Sequence, residues 1–194
     1  RKHLGAENMH GLLHAIKNHY KIQFTHEKFW KTINEKKVRS VYPLALKEAR
    51  NRWYLVAQDP IDGVYKTFGL DRISDVDISR EKFPYPKDFN PDEKFKYSFG
   101  IITDETKPEK IKLWFSHEQA NHIKSLPLHS SQNIVYENES ECVIELYMSP
   151  TYDFVMELLS MGAEVKVLEP KSLKEEIKLK LLKTLDFYNI SNDE

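Results

Sequence analysis

Arg52-Trp53-Tyr54-Leu55-Val56-Ala57 decides how the first half of this chain is read. The run is rich in aromatic and branched residues, and polar turn segments bound it on both sides, as a strand of a meander requires. Lys47-Glu48-Ala49-Arg50-Asn51 leads into it. Asp59-Pro60-Ile61-Asp62-Gly63 leads out, with a proline that presets φ and a glycine that accepts a positive one.

Working outward, Lys36 to Lys47 reads as a strand bent at Pro43, and Val64 to Leu70 and Arg72 to Ser79 read as two more. Tyr20, Ile22 and Phe24 alternate with polar residues, the period of a half-buried strand. Before them Met9, Leu12, Leu13 and Ile16 recur at helical spacing within Ala6 to Lys17. One helix and about five short strands predict a small closed barrel. Arg80 to Tyr97, with Pro84, Pro86 and Pro91, reads as a linker whose Phe83, Tyr85, Phe89 and Phe95 pack along a surface.

The second half alternates strands and helices. Strands are expected at Phe99 to Thr103, Lys110 to Phe115, Ile134 to Glu137, Glu141 to Met148 and Ala163 to Leu168. Helices are expected at Ser116 to Leu126, Thr151 to Met161 and Ser172 to Tyr188. Ser116 with Gln119 completes a capping box, Thr151 stands at a second N-cap, and Gly162 closes its helix at C′. Leu173, Ile177, Leu181 and Leu185 form one apolar stripe on the last helix. The class is α+β, with one helical face on the second sheet.

With 29 basic and 30 acidic residues the chain is not basic overall, so anion binding has to come from local clustering. The single cysteine, Cys142, sits in a strand-like run and reads as a buried thiol suited to the cytoplasm; it permits no internal disulfide. His10 and His14 lack a third ligand and an intervening glutamate, and His117 and His122 stand five apart, off a shared helix face. Neither pair reads as a metal site. No phosphate-cradling or nucleophile-elbow motif occurs, so no cofactor and no catalytic residue are expected. No apolar run is long enough for a membrane helix. The chain opens at Arg1 without an initiator Met, which reads as a fragment of a longer protein.

Basic residues and aromatics concentrate on the strands of the first half: Lys36, Lys37 and Arg39, then Arg50 and Arg52 beside Trp53 and Tyr54, then Lys66 and Arg72 around Phe68. Paired strands bring such side chains to one barrel mouth, where guanidinium forks suit phosphate and aromatic faces suit bases. Alternatively the charges point outward while Trp53, Leu55 and Phe68 fill the core; composition leaves both readings open.

Three blocks, Val38 to Leu46, Arg52 to Ala57 and Thr67-Phe68-Gly69-Leu70-Asp71-Arg72-Ile73, together resemble the signature of the WYL-domain transcription regulators, with Trp53-Tyr54-Leu55 as the eponymous tripeptide. Ile144 to Leu146 and Leu158 through Pro170 resemble the C-terminal extension that follows that domain. The resemblance implies an Sm-like or SH3-like barrel over 1–79, a linker over 80–97, a ferredoxin-like α+β extension over 98–188 and a tail over 189–194. It implies a bacterial, dimeric, non-enzymatic sensor, with promoter DNA bound by a helix-turn-helix outside this chain. A nucleotide or nucleic-acid effector would bind a pocket formed by Arg39, Tyr54, Lys66 and Arg72, with His26 in the loop after the first strand. One departure stands out: Gly69 replaces an arginine common in the family, which removes a guanidinium or opens room beside the pocket. A structural dimerisation or protein-interaction module without a ligand site is the alternative.

Overall fold

A computed structural model describes residues 5–28, 35–103 and 106–189. The chain divides into two compact units, Arg1–Pro91 and Asp92–Glu194.

The first unit opens with a 3-10 turn (Ala6–Asn8) and helix α1 (Met9–Asn18), which buries Leu12 and Ala15. Strands β1 (Tyr20–Lys28), β2 (Glu35–Ala49), β3 (Arg52–Gln58), β4 (Tyr65–Gly69) and β5 (Ile73–Lys82) form one antiparallel sheet in the order β4-β3-β2-β1-β5. β2 is long because it serves two partners. Its first half pairs with β1 from Glu35 to Val41, and its second half pairs with β3 from Tyr42 to Ala49. The ladder bulges between Pro43 and Ala45, next to the changeover, where a residue without an N–H costs least. Trp53 and Leu55 pack toward a core of Ile22, Phe24, Val41, Phe68 and Leu70.

The expected closed barrel does not form: β4 and β5, the two edges, share no ladder among the described residues. β4 ends at Gly69, and the 3-10 turn Leu70–Arg72 carries the chain around the seam instead. The backbone of Gly5 presses on this turn so closely that a Cβ there would lie 2.1 Å from the Leu70 carbonyl oxygen, and the Asn8 amide donates to the Ile73 carbonyl at 3.3 Å. The expected linker begins by extending β5 to Lys82 and then packs down. Phe83 stacks on Tyr42 at 4.6 Å, and Phe89 meets Tyr65 at 5.1 Å.

After a short helix, α2 (Pro91–Phe95), the second unit runs β6 (Glu109–Ser116), α3 (His117–Ser125), β7 (Asn133–Glu137), β8 (Glu141–Met148), α4 (Tyr152–Ser160), β9 (Val165–Glu169) and α5 (Lys171–Asn189). The sheet order β7-β8-β6-β9, antiparallel throughout, is the ferredoxin-like arrangement expected. Ile111, Leu113, Ile144, Leu146 and Phe154 centre its core, and Cys142 is buried beside them. Ser116 caps α3 by accepting from the Gln119 amide, and Gly162 takes φ +60 after α4. Thr151 makes no such cap bond.

Two expectations fail here. Phe99 to Thr103 is bent chain, not a strand. Gly100 lies against α4, where a Cβ would come 2.4 Å from an Asp153 carboxylate oxygen, so the segment packs by close approach rather than by a ladder. The stripe on α5 is covered only at Leu173 and Ile177; Leu181 and Leu185 remain about half exposed.

Candidate ligand-binding site

The seam between β4 and β5 collects most of the residues singled out from sequence. Phe24 and Arg39 are opposite one another in the β1–β2 ladder, so they share a face. His26, two residues along β1, shares that face as well. It lies within the strand, not in a loop after it, because β1 continues its pairing there with both Lys37 and Ile73. The Phe68 ring stands edge-on to both Phe24 and His26, at 5.2 and 5.1 Å. Arg72 arrives on the 3-10 turn.

The electrostatics report how close these groups are. Burial pushes the His26 imidazole below its ordinary value; Arg72, Arg39 and Lys28 push the same way, and Asp71 pulls it back. His26 Nδ1 and Arg39 Nε are buried and meet no hydrogen-bond partner among the described residues. Native proteins rarely leave such atoms unmatched, since a buried polar group without a partner costs about 1–3 kcal/mol. The Arg39 Nε–H, and His26 in its Nδ1–H tautomer, are donors that beside a further guanidinium suit an anionic oxygen.

Tyr54 is half-buried on the opposite face of β3 from Leu55, across the ladder from Gly69. A Cβ on Gly69 would meet Asp71 Oδ1 at 2.5 Å and Arg72 Nε at 3.7 Å. The missing side chain thus makes room for a carboxylate rather than for open space. Asp71 Oδ2 is held by Arg52 at 3.4 Å. In the sequence Asp71 stands out only as a member of its block, not as a site residue. The only signal was its place two residues after a glycine on a tight turn.

Lys66 does not join the cluster. It lies at the other end of β4, roughly 10 Å along the strand from Gly69, and binds Asp59 at 2.6 Å and Asp62 at 2.9 Å. The two carboxylates raise its pKa, Asp59 more than Asp62, and it lowers theirs in turn. This lysine clips the β3–β4 turn shut. His10 is exposed, and the His14 ring lies 5.9 Å from Tyr20.

A bent, unclosed sheet with basic groups at its seam, followed by a ferredoxin-like unit, makes a two-part α+β architecture. The family model for the WYL domain matches residues 7–78, and that for the WCX domain matches residues 107–185. The chain belongs to the WYL-domain family. Among curated proteins no sequence matches it. Of solved structures, one described as a CRISPR Cas-related protein is similar at TM-score 0.57 and 15% identity, over 97% of this chain and 54% of that one. Proteasome accessory factor B/C of Arthrobacter aurescens is similar at TM-score 0.42 and 21% identity, over 93% of this chain and 27% of that one. The chain therefore spans about a quarter to a half of these proteins. Among the described residues no helix is long and apolar enough to cross a membrane.

Proposed function

We propose that the chain is the ligand-sensing portion of a bacterial cytoplasmic transcription regulator, binding a nucleotide or single-stranded nucleic acid at the seam around His26, Arg39, Arg72 and Tyr54. It acts by binding and not by catalysis, and occupancy biases an upstream helix-turn-helix that contacts promoter DNA. The observation that carries this reading is the convergence of basic groups and His26 beside Phe68, with two buried nitrogens that have no partner among the described residues. Phosphate oxygens would satisfy the donors, while Tyr54 offers a face for a base.

Fluorescence anisotropy with a short single-stranded DNA tests it. Arg72→Ala weakens binding about tenfold or more, and flattens the log–log salt slope by about 0.7 for each phosphate that is no longer neutralised. A variant that binds equally, with the same slope, removes this ligand class.

A second reading draws on α5, whose Leu179, Leu181, Leu182 and Leu185 are exposed beside a groove of about 310 Å³. The chain then pairs with a second copy through this apolar surface, as a dimerisation module. Sedimentation separates the two readings: a chain that stays monomeric at high concentration while it still binds DNA discards dimerisation and keeps the sensor.

A further inference from the structure

We infer that the ligand of the seam brings a hydrogen-bond donor to Asp71 beside the anion it brings to the basic groups, so that the site selects a phosphate with a neighbouring hydroxyl or amine. This rests on the anion site proposed above. It extends that site by its acidic member.

Asp71 keeps only 17% of its side-chain surface exposed. Its Oδ2 faces Arg52, whereas Oδ1 is buried and has no donor among the described residues. Gly69 leaves the space in which Oδ1 sits, and Arg72 Nε lies close to the same point. Toward a bare phosphate this carboxylate is a repulsive charge set among the guanidinia. Toward a ligand that carries a donor next to its phosphate it becomes an acceptor, and three of the buried atoms without a partner among the described residues are then met: Arg39 Nε and His26 Nδ1 face the anion, and Asp71 Oδ1 faces the donor. In nucleic acid that donor is the ribose 2′-hydroxyl or the exocyclic amine of a base such as cytosine.

Three fluorescein-labelled decamers distinguish the sources when titrated into the full chain. Oligo-dU is the reference, oligo-U adds the 2′-hydroxyl, and oligo-dC places an amine on the base edge. Oligo-U or oligo-dC is expected to bind about tenfold more tightly than oligo-dU, as one added hydrogen bond to a charged acceptor implies. The advantage shrinks to about twofold or less in Asp71→Ala, although that change removes a negative charge from an anion site. Asp71→Asn, which keeps the side chain's shape, carries the same comparison if the alanine variant unfolds. Equal binding of all three decamers by the unsubstituted protein overturns the inference and leaves the anion site standing, as does a uniform tightening of all three in Asp71→Ala. If no decamer binds, both fall together.

Discussion

His26 in the first unit and His129 in the second are both partly buried, and burial holds both imidazoles below their ordinary pKa. Their surroundings differ. His129 donates from Nε2 to the Lys96 carbonyl at 2.9 Å, which leaves Nδ1 to accept from the Ser131 amide at 3.1 Å. Ser131 Oγ in turn bonds the Tyr147 backbone. Every polar atom of that imidazole is matched. His26 has Phe68 on one side, positive charge around it, and a buried Nδ1 with no partner among the described residues. The buried Nε of Arg39 and Oδ1 of Asp71, equally unmatched, lie in the same cluster. Where polar groups serve the fold, the fold satisfies them. At the proposed site it leaves buried polar atoms without partners among the described residues, as a ligand site would require.

The largest effects come from the core of each unit. Phe68→Ala and Phe154→Ala should each cost about 3–5 kcal/mol in denaturant unfolding, because each removes a ring from a closely packed interior. Only Phe68→Ala should also shift the His26 ring resonances. If Phe154→Ala moves them as far, the cluster is not a local assembly.

The contrast has a sign as well as a size. His129→Ala breaks a matched network and should destabilise by about 1–3 kcal/mol. Arg39→Met removes a group with an unmatched buried nitrogen and should be neutral, or stabilising by up to about 1 kcal/mol, while it weakens oligonucleotide binding. Chemical denaturation of the pair checks this; a destabilised Arg39→Met would mean that the guanidinium serves the fold after all.

Acid distinguishes the histidines more gently. Both folded-state pKa values lie below the unfolded value near 6.5, so the folded protein binds fewer protons in that interval. Their contribution is complete above about pH 6.5 and declines as the pH falls through each folded value. Thermal melts should therefore lose stability on acidification, less so in His129→Gln. In a proton NMR titration, a bound oligonucleotide should raise the His26 pKa and leave that of His129 in place. Failure of His26 to move would argue that no anion sits beside it.

The smallest expected effect is that of Lys66→Ala, because its charge is already matched by Asp59 and Asp62. Oligonucleotide affinity should not change, and both carboxylate pKa values should rise toward normal by NMR. A clear loss of affinity would return Lys66 to the site.

These contrasts were only partly legible in the sequence. Arg39 and Arg72 could be named because their blocks are specific, and a strand period assigns a face. Lys66 stood in an equally suggestive place, but pattern does not reveal that Asp59 and Asp62 reach it first. Asp71 was passed over because a lone acidic residue among bases reads as an ordinary turn residue. The strand expected at Phe99 to Thr103 had the right apolar content; what excluded it was the close approach of Gly100 to Asp153, a contact between residues far apart in the chain.

Local chemistry determined the strand Arg52 to Ala57, the turn at Gly63, the cap at Ser116 and the end of α4 at Gly162, since propensity and φ depend on neighbours along the chain. The α+β class of the second half followed from its alternation of strands and helices, and its ferredoxin-like order from the family resemblance. Only the tertiary structure decided that the first sheet stays unclosed, that His26 faces Phe68 from within a strand, and that Asp71 occupies the space beside Gly69. Closure, burial and unmatched hydrogen bonds are set by which distant surfaces meet, and no spacing along the sequence encodes them.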